Sequence, residues 1–267
     1  MVTVHNFSYG LLNPVLGYAM SCLGSFLGLR CVILARAYEG AARARWLALA
    51  AVAIGAVGIW SMHFIAMLGF TVPGEAIRYN VIITIGSMLL AVAVVGVGLF
   101  IVGFGNGGWP RLLLGGVIIG VGVAAMHYLG MNAMSMPSTQ SYNITMVTLS
   151  VLIAIVAGTV ALWIGTWVRS IRATVGAALV MGVAVTGMHY TGMAALHIAG
   201  NPMSMSASVL GSVSGATAGT FLIPLLLVIS LATFLLTLSI SMTPSEDEIR
   251  ADTEMQRRLE LLQKRNQ

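Results

Sequence analysis

Seven stretches of this chain run for about twenty residues or more with scarcely a charged side chain, and no other feature limits its fold so tightly. At 1.5 Å of rise per residue, each stretch is long enough to cross a hydrocarbon core about 30 Å thick. Lipid offers backbone amides no hydrogen-bonding partner, so a spanning segment must satisfy them internally as a helix or laterally in a closed barrel. Continuous apolar runs, rather than alternating ones, select the helix. The runs fall at residues 11–36, 46–70, 79–104, 112–134, 144–168, 173–199 and 219–242. Across all 267 residues, 58% are hydrophobic and 8% charged, against about a quarter charged in soluble domains. The expected architecture is an all-α membrane protein, a bundle of seven transmembrane helices in the lipid bilayer.

The basic residues give the bundle a direction. Arg36, Arg43 and Arg45 follow the first run, Arg111 precedes the fourth, and Arg169 and Arg172 precede the sixth. The tail adds Arg250, Arg257, Arg258, Lys264 and Arg265, whereas the alternate loops carry only Arg78 among the 13 basic residues. Positive charge stays on the cytoplasmic side, so the expected topology has the N-terminus outside and the C-terminus in the cytoplasm of a multi-pass inner (plasma) membrane protein. The first basic residue is Arg30, so no secretory signal pattern is expected at the N-terminus. The net charge of +5 is dispersed between apolar runs rather than gathered in a stripe, which argues against nucleic acid as a partner. Cys22 and Cys31, nine residues apart on one helix, point in opposite directions and form no disulfide.

Within the second, fourth and sixth runs a short phrase recurs: "SMHFIAMLG" at Ser61–Gly69, "AMHYLGMNA" at Ala125–Ala133 and "GMHYTGMAA" at Gly187–Ala195. His63, His127 and His189 are separated by 64 and 62 positions, a period of two helices. The chain therefore reads as one leading helix followed by three related helical pairs. Arg45 precedes His63 by 18 residues, Arg111 precedes His127 by 16, and Arg172 precedes His189 by 17. Those spacings put all three imidazoles roughly 24–27 Å from the arginine level, in one layer near the outer edge of the hydrocarbon core.

Met67, Met131 and Met193 follow the histidines by four residues and share their helix faces. His197 is expected to extend the His189 face by another turn, and Met134 to return to that of His127. Met62, Met126 and Met188, one residue before each histidine, are rotated about 100° away and face a neighbouring helix or pack. Imidazole with thioether suits copper, whereas zinc and non-haem iron recruit carboxylate, water or thiolate. No acidic residue stands in any apolar run. The Met-Ser-Met segments at Met134–Ser138 and Met203–Ala207 would place further thioethers in the outer loops, able to pass soft ions inward. His5 reads as solvated, Arg30 as snorkelling, Glu75 as a turn residue, and Trp60, Trp109, Trp163 and Trp167 as interface anchors or packing.

The triplicated Met-His-Tyr/Phe segment on seven spans resembles the MHYT domain, a family of bacterial integral-membrane sensor modules, over residues 5–242. The resemblance implies a copper site made by Met62, His63, Met67, Met126, His127, Met131, Met188, His189 and Met193. It also implies a response to a diatomic gas such as O2, CO or NO. Tyr128 and Tyr190 match the motif, while Phe64 stands where the first tyrosine belongs. Family members are often followed by cytoplasmic cyclic-di-GMP enzymes or kinases. Here the expected organisation is a sensor domain at 5–242 and a cytoplasmic helical tail at 243–267. That tail opens with a capping box from Ser245 to Glu248 and continues with an apolar seam of Met255, Leu259 and Leu262, short for a coiled coil. It would serve as a connector to a signalling partner, a solvated helix or a stub for a homodimer.

Three activities suit this pattern: a copper-dependent sensor of gas or redox state, a copper-handling transporter, and a haem-binding electron-transfer protein. The sequence has no carboxylate dyad, nucleophile–base constellation or phosphate loop. It reads as a non-enzyme.

Overall fold

The structure, a computed structural model, describes residues 4–105, 108–199 and 214–244, together with positions 248, 251, 254–256, 258, 259 and 263 of the tail. Among the described residues, seven helical spans are long and apolar enough to cross a membrane. The first is α1 (Leu12–Ala37). The second is composite: α2 (Gly40–Val52), a π-helical stretch (Ala53–Trp60) and α3 (Ser61–Leu68). Then come α4 (Val81–Gly103), α5 (Trp109–Asn132), α6 (Ile144–Trp167) and α7 (Ile171–Ala194). The last span is a short π-helical entry (Ala218–Leu222) leading into α8 (Ile223–Ser241). Four short strands lie between them: β1 (Arg78–Tyr79), β2 (Met134–Ser135), β3 (Thr139–Tyr142) and β4 (Leu196–Ala199).

Local chemistry explains several helix ends. The side chains of Asn80 and Asn143 accept backbone N–H bonds at the starts of α4 and α6, and Ser170 does so for α7, each supplying an acceptor to an otherwise orphaned donor. The tight connection from α1 into α2 passes through Gly40 at φ +56°, a conformation that costs residues with a Cβ.

The composite second span is the hub of the bundle, with 83% of its most apolar window buried. Its π-helical stretch carries the i→i+5 pattern through to Ser61, whose N–H and hydroxyl both bond the Ala56 carbonyl. A residue inserted into an α-helix is absorbed by such a widened turn. Arg45 to His63 is the longest of the three arginine–histidine spacings, so the π stretch keeps His63 in register with the other two imidazoles. Helix α1 packs on this hub backbone to backbone: a Cβ placed at Gly24 would meet Gly58 N at 2.3 Å. Gly116 and Gly120 likewise seat α5 against Thr159 and Ile155 of α6. Both small-residue spacings thus mark close helix contacts.

Two expectations about span ends are overturned. Helix α7 stops at Ala194, and Leu196–Ala199 turns into β4, paired antiparallel with Thr139–Tyr142 of β3. His197 therefore leaves the His189 face; it lies in a strand, its Nδ1 against the Ala195 carbonyl at 3.0 Å. Helix α5 stops at Asn132, and Met134 pairs with Tyr79 across β1–β2 instead of completing another helical turn. In both cases an apolar run outlasts its helix because the strand partner comes from a neighbouring repeat, which no local pattern encodes.

Both strand pairs join one helical pair to the next. Asn80 donates its N–H to the Ala133 carbonyl, and Asn143 repeats that bond to Ala195 at the same 2.8 Å. The Glu75 carboxylate accepts from the backbone N–H and the hydroxyl of Ser138, so Glu75 clasps two loops rather than merely turning one. Trp60 is wholly buried and donates its indole N–H to Ser87 Oγ and Thr84 O, making it a packing residue, whereas Trp109, Trp163 and Trp167 remain exposed. Cys22 and Cys31 are free thiols. His5 is exposed, although its backbone pairs with Thr71.

Candidate metal centre

The three histidines meet. His63 on α3, His127 on α5 and His189 on α7 are each no more than 1% exposed. The Nδ1 of His63 stands 3.0 Å from that of His189 and 3.1 Å from that of His127. Ring centroids are 4.9–5.1 Å apart and every ring pair is nearly perpendicular, at 78–86°. The result is a three-bladed arrangement about a common axis, one blade from each helical pair. Among the described residues it is the one group of histidine, cysteine or acidic side chains that could hold a metal ion, its ligand atoms all within 4.8 Å of one another.

The chemistry of the donor set fits a cation. Three nitrogens each about 2.0–2.1 Å from one ion would lie about 3.3–3.6 Å apart, close to the spacing seen. Without an ion, His63 Nδ1 faces two other Nδ1 atoms and has at most one proton to place between them, so one pair of lone pairs confronts another. The outward Nε2 atoms of His63 and of His127 are buried without a hydrogen-bond partner among the described residues, so neither ring has the outer acceptor that commonly orients a ligating histidine. Such a cluster costs free energy unless something at its centre compensates it.

Glycine lets the rings approach. A Cβ at Gly130 would come within 2.4 Å of His63 Nε2, and one at Gly192 within 2.4 Å of His127 Nε2. The imidazoles of His63 and His127 thus lie on the backbone of the next repeat's helix, three residues beyond that helix's own histidine. The first copy of the motif carries Ala66 at this position. Sequence reasoning passed over these glycines, although the shared fourth residue of "HYLG" and "HYTG" was the available signal.

The methionines are buried with the histidines: Met62, Met67, Met126, Met131, Met188 and Met193 are all under 5% exposed. Met67, Met131 and Met193 lie one turn beyond the imidazoles on the same helices. Among the outer-loop methionines, Met134 is buried and Met136 half-buried against the core, so they are not the exposed thioethers expected. Met203 and Met205 lie outside the described residues, as do Ser245 of the proposed capping box and Leu262 of the apolar seam.

The aromatic neighbour of each histidine stands edge-on to it, at 4.7 Å for Phe64 and 4.9 Å for Tyr128 and Tyr190. The Tyr128 hydroxyl bonds Ser150 Oγ at 2.7 Å. Ser87 is the equivalent serine of the first repeat, seven residues after its N-cap asparagine, and there Trp60 takes the bond that Phe64 cannot make. In the third repeat the same position is Pro224, and the buried Tyr190 hydroxyl has no hydrogen-bond partner among the described residues. Beyond the helices, Tyr79 packs edge-on to Phe64 and Tyr142 to Tyr128; burial pushes both phenols above their ordinary range. Replacing Ser150 with alanine should strand the Tyr128 hydroxyl and cost about 1–2 kcal/mol, read as a lowered thermal midpoint in detergent.

Comparison with known proteins covers the first two copies of the motif. Residues 57–115 and 120–178 match the MHYT family, described as a bacterial signalling protein N-terminal repeat. The bifunctional diguanylate cyclase/cyclic di-GMP phosphodiesterase MucR of Pseudomonas aeruginosa is 36% identical over 248 residues, covering 91% of this chain and 35% of that protein. The cyclic di-GMP phosphodiesterase NbdA of the same organism is 36% identical over 229 residues, 80% of this chain and 29% of its own length. The signaling protein YkoW of Bacillus subtilis is 30% identical over 187 residues, 67% of this chain and 23% of its own. The chain thus spans about a third or less of these relatives. No solved structure matches it.

Proposed function

Because the chain belongs to the MHYT family of bacterial membrane signalling proteins, we propose that it is the sensory module of such a system, built around a copper centre in the three-histidine layer. The observation that carries this reading is the convergence of three buried Nδ1 atoms, 3.0 and 3.1 Å apart, from three different helical pairs. One shared proton suits a pair of neutral imidazoles, whereas a cation at the centre would engage all three nitrogens at once.

Copper is the metal of choice on donor chemistry. Imidazole nitrogen and thioether sulfur are its preferred partners in the reduced state, and carboxylate is absent from the layer. His63, His127 and His189 would hold it, with Met67, Met131 and Met193 the closest candidates for a soft further ligand and Met62, Met126 and Met188 in a packing role. Copper, when bound, would supply a redox change or an open coordination position for a diatomic molecule such as O2, CO or NO. The haem alternative fits less well, since axial imidazoles on either side of a haem iron need their nitrogens about 4 Å apart with a macrocycle between them.

The arginine pattern supports an orientation with the histidine layer near the outer face of the inner membrane and the tail in the cytoplasm. Residues 5–242 would then be the sensor and 243–267 the connector. Described tail positions are helical and exposed, with Arg258 paired to Glu254 at 2.9 Å across one turn. A change at the imidazoles would shift the packing of the three pairs. It would pass through α8 to a cytoplasmic partner, by likeness to the named relatives one concerned with cyclic di-GMP. The module itself would be non-catalytic.

The test is metal analysis with absorption spectra, aerobic and anaerobic, on protein purified in mild detergent. Copper should be retained in stoichiometric amount and lost when any of His63, His127 or His189 becomes alanine. Retention of the metal in a His63→Ala protein, or failure of the wild type to take up copper on reconstitution, would remove the proposal.

A further inference from the structure

One turn before each histidine stands a branched apolar residue: Ile59 before His63, Val123 before His127 and Val185 before His189. Helical geometry places these three about 6 Å below the imidazoles on the same faces. All three line a cavity of about 210 Å³, together with Met188. The cavity descends along the bundle axis, away from the strands, to Arg36, Arg43 and Thr166.

Small residues leave this space. Ala154, Ala157, Gly158, Ala161 and Gly165 of α6 all line it beside Leu162, so most of that side of the wall is small. Polar groups are confined to its far end, where Arg43 Nε is buried without a hydrogen-bond partner among the described residues. Arg36 donates to the carbonyls of Thr166 and Val168, and Arg43 lies over the Phe104 ring, 5.6 Å from its centroid. A cavity of this size with apolar walls gives water too few partners to stay, whereas apolar cavities of about 150 Å³ take up benzene or xenon. At the histidine end the helices lead into β1–β2, β3–β4 and the Glu75–Ser138 clasp.

We propose that the axial cavity is a second binding site, for a small uncharged apolar molecule, and that such a molecule reaches the imidazole layer through it from the arginine end. Charged or hydrated species are refused by the cost of desolvation along the apolar wall. A molecule soluble in the bilayer is concentrated there, one turn from the histidines, behind the ring of Ile59, Val123 and Val185. The final transfer rests on the reading of that layer as a metal centre; occupancy of the cavity does not.

The probe is xenon, applied to the full chain in nanodiscs after chelation of metal and read by xenon NMR. Wild-type protein should show saturable binding, and Val123→Phe and Ala157→Phe, which fill the cavity from α5 and α6, should each abolish it. Circular dichroism and thermal midpoints identify any variant that fails to fold, in which case the other decides. Absence of saturable binding in the wild type, or equal binding in a folded filled variant, would overturn the site. So would an acyl chain that extracts with organic solvent from wild-type protein but not from the filled variants. A second arm uses copper-loaded protein and CO: the spectral response should slow in Ala157→Phe at unchanged copper content, and an unchanged rate would overturn the route. Because the xenon arm needs no metal, its result stands whether or not the copper reading survives.

Discussion

Replacing Gly130 or Gly192 with valine should weaken the metal binding proposed for the histidine layer by up to about 100-fold, the upper range for groups that orient a ligand without touching the ion. An added Cβ would already stand 2.4 Å from the Nε2 of His63 or His127, less than any contact those atoms could bear. Valine adds two further carbons. Neither ring has room to retreat, since both are fully buried and each is braced edge-on by its aromatic neighbour. The imidazole must swing, and its Nδ1 leaves the centre. Gly187, two residues before His189, is the control: a Cβ there meets nothing within 4 Å. Gly187→Ala should keep full metal content and stabilise the helix by up to about 1 kcal/mol. Metal titration of the three variants separates these outcomes, and undiminished affinity in Gly130→Val would show that His63 does not rest on that backbone.

The largest effect on stability is expected at Gly24. Its ideal Cβ falls 2.3 Å from Gly58 N, 2.5 Å from Gly58 Cα and 2.6 Å from Ala53 O. These are backbone atoms of the π-helical stretch and cannot rotate aside. Even Gly24→Ala should cost about 3 kcal/mol or more, with loss of folded yield. The reverse substitution, Gly58→Ala, brings its Cβ no closer than 3.5 Å to α1, an ordinary contact, and should be tolerated. Denaturation of the two variants side by side checks the asymmetry. Equal stability would mean that α1 and the hub are not in backbone contact.

Much of this arrangement is legible without coordinates. The seven spans follow from where charge is missing, and the shared level of His63, His127 and His189 follows from three similar distances to arginine. What escapes is whatever depends on a neighbour in space. Leu196–Ala199 and Met134 read as helix because they are continuous with an apolar helical run, yet each is captured by a strand of the preceding repeat. Phe64 looks like a defect in the motif until Trp60 is seen to take the serine that a tyrosine would have bonded. Gly130 and Gly192 look like helix breakers in a greasy segment until an imidazole is found lying across them. The repeated Tyr79-Asn80 and Tyr142-Asn143 pairs, 63 residues apart, would have marked the loops as part of the repeat.

The distribution of the three rings over three helical pairs also bears on how the protein is made. Neighbouring blades are contributed by residues 64 and 62 positions apart in the chain, and α7, which carries the last of them, is the sixth span to emerge during synthesis. Partial products of translation therefore hold one or two isolated imidazoles and no competent trap for a metal. An ion that recognises only the finished cluster adds its own free energy to the assembled state, about 2.7 kcal/mol when free metal exceeds its dissociation constant a hundredfold. Scarcity of that ion in the growth medium should then appear as faster turnover of newly made chains, before any signal is lost.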